Sequence, residues 1–81
     1  MITLEQACKI AEEMFHGSKI CSALDIGSGW ILVHANKTTG DELDVSPTYV
    51  SKMTGKAKDF FPPDHVKELE NAINVKLPNR N

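Results

Sequence analysis

The stretch from Ser46 to Phe61, SPTYVSKMTGKAKDFF, constrains the fold of this chain more than any other. Thr48 to Ser51 predicts a short strand, because Tyr49 and Val50 favour extended backbone. Lys56 to Phe61 predicts its return. Between them, Lys52-Met53-Thr54-Gly55 fits a short connection with Gly55 where the backbone needs positive φ. Pro62-Pro63 then stops the ladder, since neither can donate a backbone N–H. The result is a hairpin whose register is set locally. By itself it names no chemistry.

The chain before the hairpin supplies a helix and two strands. Thr3-Leu4-Glu5-Gln6 has the form of a capping box, with Thr3 at the N-cap and Gln6 three residues on. Leu4, Ala7, Cys8, Ala11, Met14 and Phe15 follow at helical spacing in one stripe. Gly17 closes the helix, so the pattern predicts a helix from Leu4 to His16. Lys19 to Ile26 predicts a strand with Ile20, Leu24 and Ile26 on one face and Cys21, Ala23 and Asp25 on the other. Gly27-Ser28-Gly29 is a flexible turn. Trp30 to Asn36 is apolar on both faces, the pattern of a central or doubly covered strand.

From Lys37 to Ser46 the chain is a polar connection, with a wide turn expected around Thr39-Gly40-Asp41. After the hairpin, Pro63-Asp64 predicts the start of a second helix, with Val66, Leu69, Ala72 and Ile73 as its narrow apolar stripe. Pro78 ends regular structure. The expected fold is therefore α+β, in the order α-β-β-β-β-α, with an antiparallel sheet of three or four strands packed against the helices. Residues 1–77 form one domain and 78–81 a flexible tail.

Composition narrows the function classes. Nine basic against eleven acidic side chains give a formal net charge of −2. That argues against nucleic acid, which usually asks for a basic face. No apolar run approaches a membrane span, and the start lacks the pattern of a signal peptide. A cytoplasmic protein that contacts neither nucleic acid nor membrane is the expectation.

The residues that could carry chemistry fall into no recognised constellation. His16, His34 and His65 share no helix face with a second ligand, and Cys8 and Cys21 have no metal spacing. Cys8 lies on the helix stripe and packs as a small hydrophobe. Neither cysteine has a neighbouring base and orienting group in the sequence. Asp41, Glu42 and Asp44 make an acidic cluster without the alternating pattern of a calcium loop. Gly27-Ser28-Gly29 joins two strands and so is no phosphate loop. No catalytic residue, cofactor or metal is expected. His34 stands out only for its place in the central strand.

Three short motifs carry a resemblance. Met1-Ile2-Thr3-Leu4-Glu5-Gln6-Ala7 leads into an amphipathic helix; Ser28-Gly29-Trp30 opens an apolar strand; Pro47-Thr48-Tyr49-Val50-Ser51-Lys52-Met53-Thr54-Gly55 makes the hairpin. In this order they resemble the YrhB-like family of small bacterial proteins, classed among the immunity proteins of toxin systems. Ser51 stands where that family's pattern has Asp. The helix and Thr-Gly hairpin also resemble PepSY domains, which occur as inhibitory or sensory modules. Both resemblances imply a binding protein, and neither implies catalytic residues. The function they imply is a non-enzymatic immunity or inhibitor protein that neutralises a protein partner such as a toxin. The alternatives are a phage- or plasmid-borne inhibitor of a host defence protein, and a small enzyme or metal-binding protein.

Alternation along the strands suggests where a partner would bind. If the first helix covers Ile31, Val33 and Val50, the opposite face carries Trp30, Tyr49 and Lys58. Such an aromatic and cationic set is enriched at interface hot spots. The occupant of that face would be a target protein or a second copy of the chain.

Overall fold

The computed structural model describes residues 1–43, 45–60 and 70–77. The fold is α+β. One helix, α1 (Leu4–Met14), precedes five strands: β1 (Ser18–Asp25), β2 (Gly29–Asn36), β3 (Thr48–Ser51), β4 (Ala57–Asp59) and β5 (Ile73–Val75). All pairings are antiparallel, in the order β4-β3-β2-β1-β5. The doubly apolar β2 is the central strand.

The capping box forms as its residues dictate. The Thr3 N–H donates to Gln6 Oε1 at 2.8 Å, and the Gln6 N–H donates to Thr3 Oγ1 at 3.2 Å. The helix ends at Met14, two residues short of the sequence expectation, because Phe15 leaves helical backbone at φ −135°, ψ 88°. Its freed carbonyl accepts the Ser18 hydroxyl at 2.8 Å, and that bond turns the chain directly into β1. Ala7, Cys8 and Ala11 are fully buried. These small side chains bring α1 close to the sheet, where it packs on Ile20, Ala23, Trp30, Leu32 and Val50.

Register decides which residues meet the helix, and here two expectations are corrected. Trp30 pairs with Val50, and Leu32 with Thr48. Directly opposed residues share a face, so Trp30 and Leu32 lie under α1 with Val50. Ile31 pairs with Tyr49 on the outer face. The alternation within β2 is as expected, but the phase of β3 against it is the reverse. In β1 the register shifts between Ile20 and Ser22. This bulge flips the alternation that follows it. Ala23 and Asp25 therefore join the face of Ile20, and Leu24 moves to the other.

The end of the chain brings a third correction. Ile73, expected on a second helix, instead begins β5, which pairs with β1 through Ala23–Val75, Leu24–Asn74 and Asp25–Ile73. The sheet has five strands, and the described order is α-β-β-β-β-β. The expected helix start at Pro63-Asp64, with Val66 and Leu69, lies outside the described residues, as does the tail 78–81.

The 37–46 connection turns at residues 37–40. Asn36 Oδ1 accepts the Thr38 and Thr39 N–H groups at 2.8 and 3.0 Å, and Gly40 has φ +81°. The chain then returns along β2, with a bridge between Ala35 and Glu42 and a bond from the Leu43 N–H to the His34 carbonyl at 3.0 Å. Regular pairing resumes at Thr48 opposite Leu32. Val45, Ser46 and Pro47 stand outside the ladder, and their departure shapes the site described next.

A cleft over the buried histidine of the central strand

Opposite the break in the β2–β3 ladder lies a cleft of about 450 Å³. Its floor is His34 of β2 and Thr48 of β3. One wall is Val45 and Ser46 from the segment that leaves the ladder. Met14 and Phe15, at the end of α1, overhang it, and Asp59 of β4 stands at its side. Asp59 belongs there because it is the cross-strand partner of Thr48.

His34 is 2% exposed, and both ring nitrogens are engaged. Nδ1 lies 2.9 Å from Ser18 Oγ, and Nε2 lies 2.7 Å from Thr48 Oγ1. The Ser18 hydroxyl gives its single proton to the Phe15 carbonyl. Its oxygen must then accept from Nδ1–H, since a hydroxyl has one proton and two lone pairs. His34 therefore carries a proton on Nδ1, and in the neutral ring that burial favours, Nε2 accepts the Thr48 hydroxyl proton. Burial is the largest influence on the ring and lowers its pKa below the ordinary 6.5; the carboxylates of Glu12 and Asp59 push the other way. The Phe15 ring tilts over the imidazole with centroids 5.6 Å apart.

A threonine hydroxyl donating to an imidazole is also the first contact of a nucleophile with its base. Here the second ring nitrogen is held by a neutral hydroxyl rather than a carboxylate. Such a partner does little to stabilise an imidazolium, and burial opposes one. The network leaves none of its own buried side-chain polar atoms without a partner. It fixes Ser18, His34 and Thr48 across three strand positions.

The rim differs from the floor. Met14, Phe15 and Val45 are 48%, 39% and 38% exposed. The helical stripe places Met14 and Phe15 with the core residues, but the helix ends before they reach the sheet, and they project over the cleft instead. Asp59 is exposed, and the single ion pair among the described residues lies elsewhere, between Lys52 and Asp25 at 2.8 Å.

The residues singled out in the sequence are not gathered at one place. Tyr49 and Lys58 are direct cross-strand partners on the outer face, with the ammonium 5.4 Å from the ring centroid. The Tyr49 hydroxyl lies 2.9 Å from Ser28 Oγ. Trp30 is on the other face, 8% exposed, inside the core beneath α1. Lys52 reaches over its ring at 5.3 Å while pairing with Asp25, so its cationic partner is Lys52 and not Lys58. The three residues do not form one surface, because the β2–β3 register puts Trp30 in phase with Val50. Gly55 has φ +74° in the hairpin turn. Among the described residues, no group of three or more His, Cys, Asp or Glu is placed to hold a metal, and no helix is long and apolar enough to cross a membrane.

His34 was visible in the sequence only as a histidine in an apolar strand. The rim was not visible there, since it depends on where α1 stops and where the chain leaves β2. Comparison with protein-family models, with curated proteins and with solved structures finds no match.

Proposed function

We propose that this chain is a small binding protein of the immunity or inhibitor type, which neutralises a protein partner such as a toxin and has no catalysis of its own. The observation that carries the reading is the convergence of three part-exposed apolar side chains, Met14, Phe15 and Val45, on one cleft. Exposed aromatic and methionine side chains of this kind are enriched at protein-contact surfaces. The resemblance of the helix and hairpin motifs to YrhB-like immunity proteins supports the same reading. The His34 network supports it too, because burial and a neutral hydroxyl partner in place of a carboxylate make the ring a poor base and leave it a rigid floor. Tyr49 and Lys58 stand on the outer face as a second, separate contact surface. On this reading the chain and its partner meet in the cytoplasm.

The test is genetic, then physical. Each gene adjacent to this one is expressed singly in a bacterial host, and any that arrests growth is co-expressed with the chain. Rescue of growth, abolished by Met14→Lys in a variant that melts like the wild type, is the expected result. If no neighbouring product is toxic, or if Met14→Lys rescues fully while Tyr49→Ala/Lys58→Glu does not, the cleft is not the inhibitory surface.

A further inference from the structure

We propose that the cleft receives an arginine side chain of the partner protein, with Asp59 as its counter-ion and Phe15 as its stacking surface. This deepens the binding reading given above and rests on it.

Charge complementarity selects the occupant. Among the described residues that line the cleft, Asp59 is the one charged group. Its carboxylate is exposed at the side of the cleft, and the described ion pair does not involve it. No described lysine lines the space. Burial disfavours the charged form of His34, which faces Glu12 from α1 and Asp59 from β4. The described lining of the cleft therefore carries net negative charge.

The shape of the lining favours arginine over lysine. A guanidinium is planar, binds a carboxylate through two parallel N–H groups and stacks on aromatic faces. Phe15 is 39% exposed at the rim and offers such a face. Met14 and Val45 are apolar and suit the methylene stem. Ser46 provides a further hydroxyl in the wall. A volume of about 450 Å³ accommodates a long side chain.

The experiment uses the whole protein labelled with ¹⁵N and three probes: N-acetyl-arginine amide, N-acetyl-lysine amide and N-acetyl-citrulline amide. Citrulline keeps the shape of arginine and lacks its charge. The expected result is saturable, millimolar binding of the arginine probe, seen as shifts of the Phe15, Thr48 and Asp59 amide signals. Lysine should bind more weakly, and citrulline at least tenfold more weakly. Asp59→Asn should reduce arginine binding to the citrulline level, with the unperturbed spectrum of the variant reporting its fold. Shifts scattered over the surface, equal binding of citrulline and arginine, or an indifferent Asp59→Asn variant would each overturn the proposal. Failure here with growth rescue intact removes arginine as the occupant and leaves the inhibitor reading standing. Arginine binding without any rescue removes the inhibitor reading and leaves the pocket.

Discussion

At the residue scale, the neutral state of His34 ties stability to pH. Its pKa is lowered by burial in the folded chain, while the unfolded chain has the ordinary histidine value near about 6.5. Below that value the unfolded state binds a proton that the folded state resists, so stability falls as pH falls. Stability from this group is complete above about pH 6.5 and is lost progressively towards the lower folded pKa. Asp25 has a lowered pKa as well, through its bond to Lys52 and the Gly27 N–H. Its effect begins only below its ordinary value of 3.8 and leaves the higher window clear. The melting temperature should therefore drop between pH 7.5 and 5.5, and His34→Gln should flatten that slope while lowering stability at pH 7.5. Equal slopes for the two proteins would refute the neutral tautomer. Gly29 supplies a second test at this scale. A Cβ there would lie 2.3 Å from the Val50 carbonyl oxygen and 2.8 Å from the Tyr49 ring. No flexible side-chain end can yield to relieve the first contact, so Gly29→Ala should cost about 2 kcal/mol or more in urea unfolding.

At the element scale, the hairpin of β3 and β4 is where sequence and structure agree most closely, because its determinants are local. The strand Thr48–Ser51 is legible from Tyr49 and Val50, and the turn from Thr54 and Gly55. The Ser51 N–H bonds the Lys56 carbonyl at 3.0 Å, and the Gly55 N–H bonds the Ser51 carbonyl at 2.9 Å. With φ at +74°, Gly55→Val should be destabilised by at least about 1 kcal/mol more than Gly55→Asn; thermal melts of the pair decide this, and equal midpoints would remove the turn assignment. The capping box was legible for the same reason, since Thr3 and Gln6 are neighbours on one turn. What was not legible depends on distant partners. The bulge after Ile20 has no local mark, yet it sets the face of Ala23 and Asp25. The phase of β3 against β2 is not written in either strand alone, and it moved Trp30 from the outer face into the core. Ile73 sits in a helical pattern with Leu69, and pairing with Asp25 across β1 overrides that pattern. The cleft was hidden because it arises where elements stop, at Met14 and between Leu43 and Thr48, and stops are the least local feature of a sequence.

At the scale of the whole molecule, the sheet face beneath α1 carries the cluster around Leu32, Ile31 and Phe60 are buried apart from it, and a domain of 81 residues has a small total stability. Such domains are typically stable by about 5 to 10 kcal/mol. Leu32 is fully buried at the centre of the sheet, between Thr48 and Ala23 across the neighbouring strands. Truncating a buried leucine to alanine typically costs about 2 to 5 kcal/mol, so Leu32→Ala should remove a large share of the total. Ile73 is of similar size but 66% exposed on the edge strand β5, and Ile73→Ala should change stability by less than about 0.5 kcal/mol. Trp30 reports both outcomes, since it lies in the same core and its indole is covered. Its emission should be blue-shifted, independent of protein concentration, and lost in one step as urea rises. In Leu32→Ala that step should come at much lower urea, while in Ile73→Ala it should barely move. If the two variants unfold at the same midpoint, the core does not lie beneath α1. If wild-type emission shifts on dilution, Trp30 is covered by a second molecule and not by the helix.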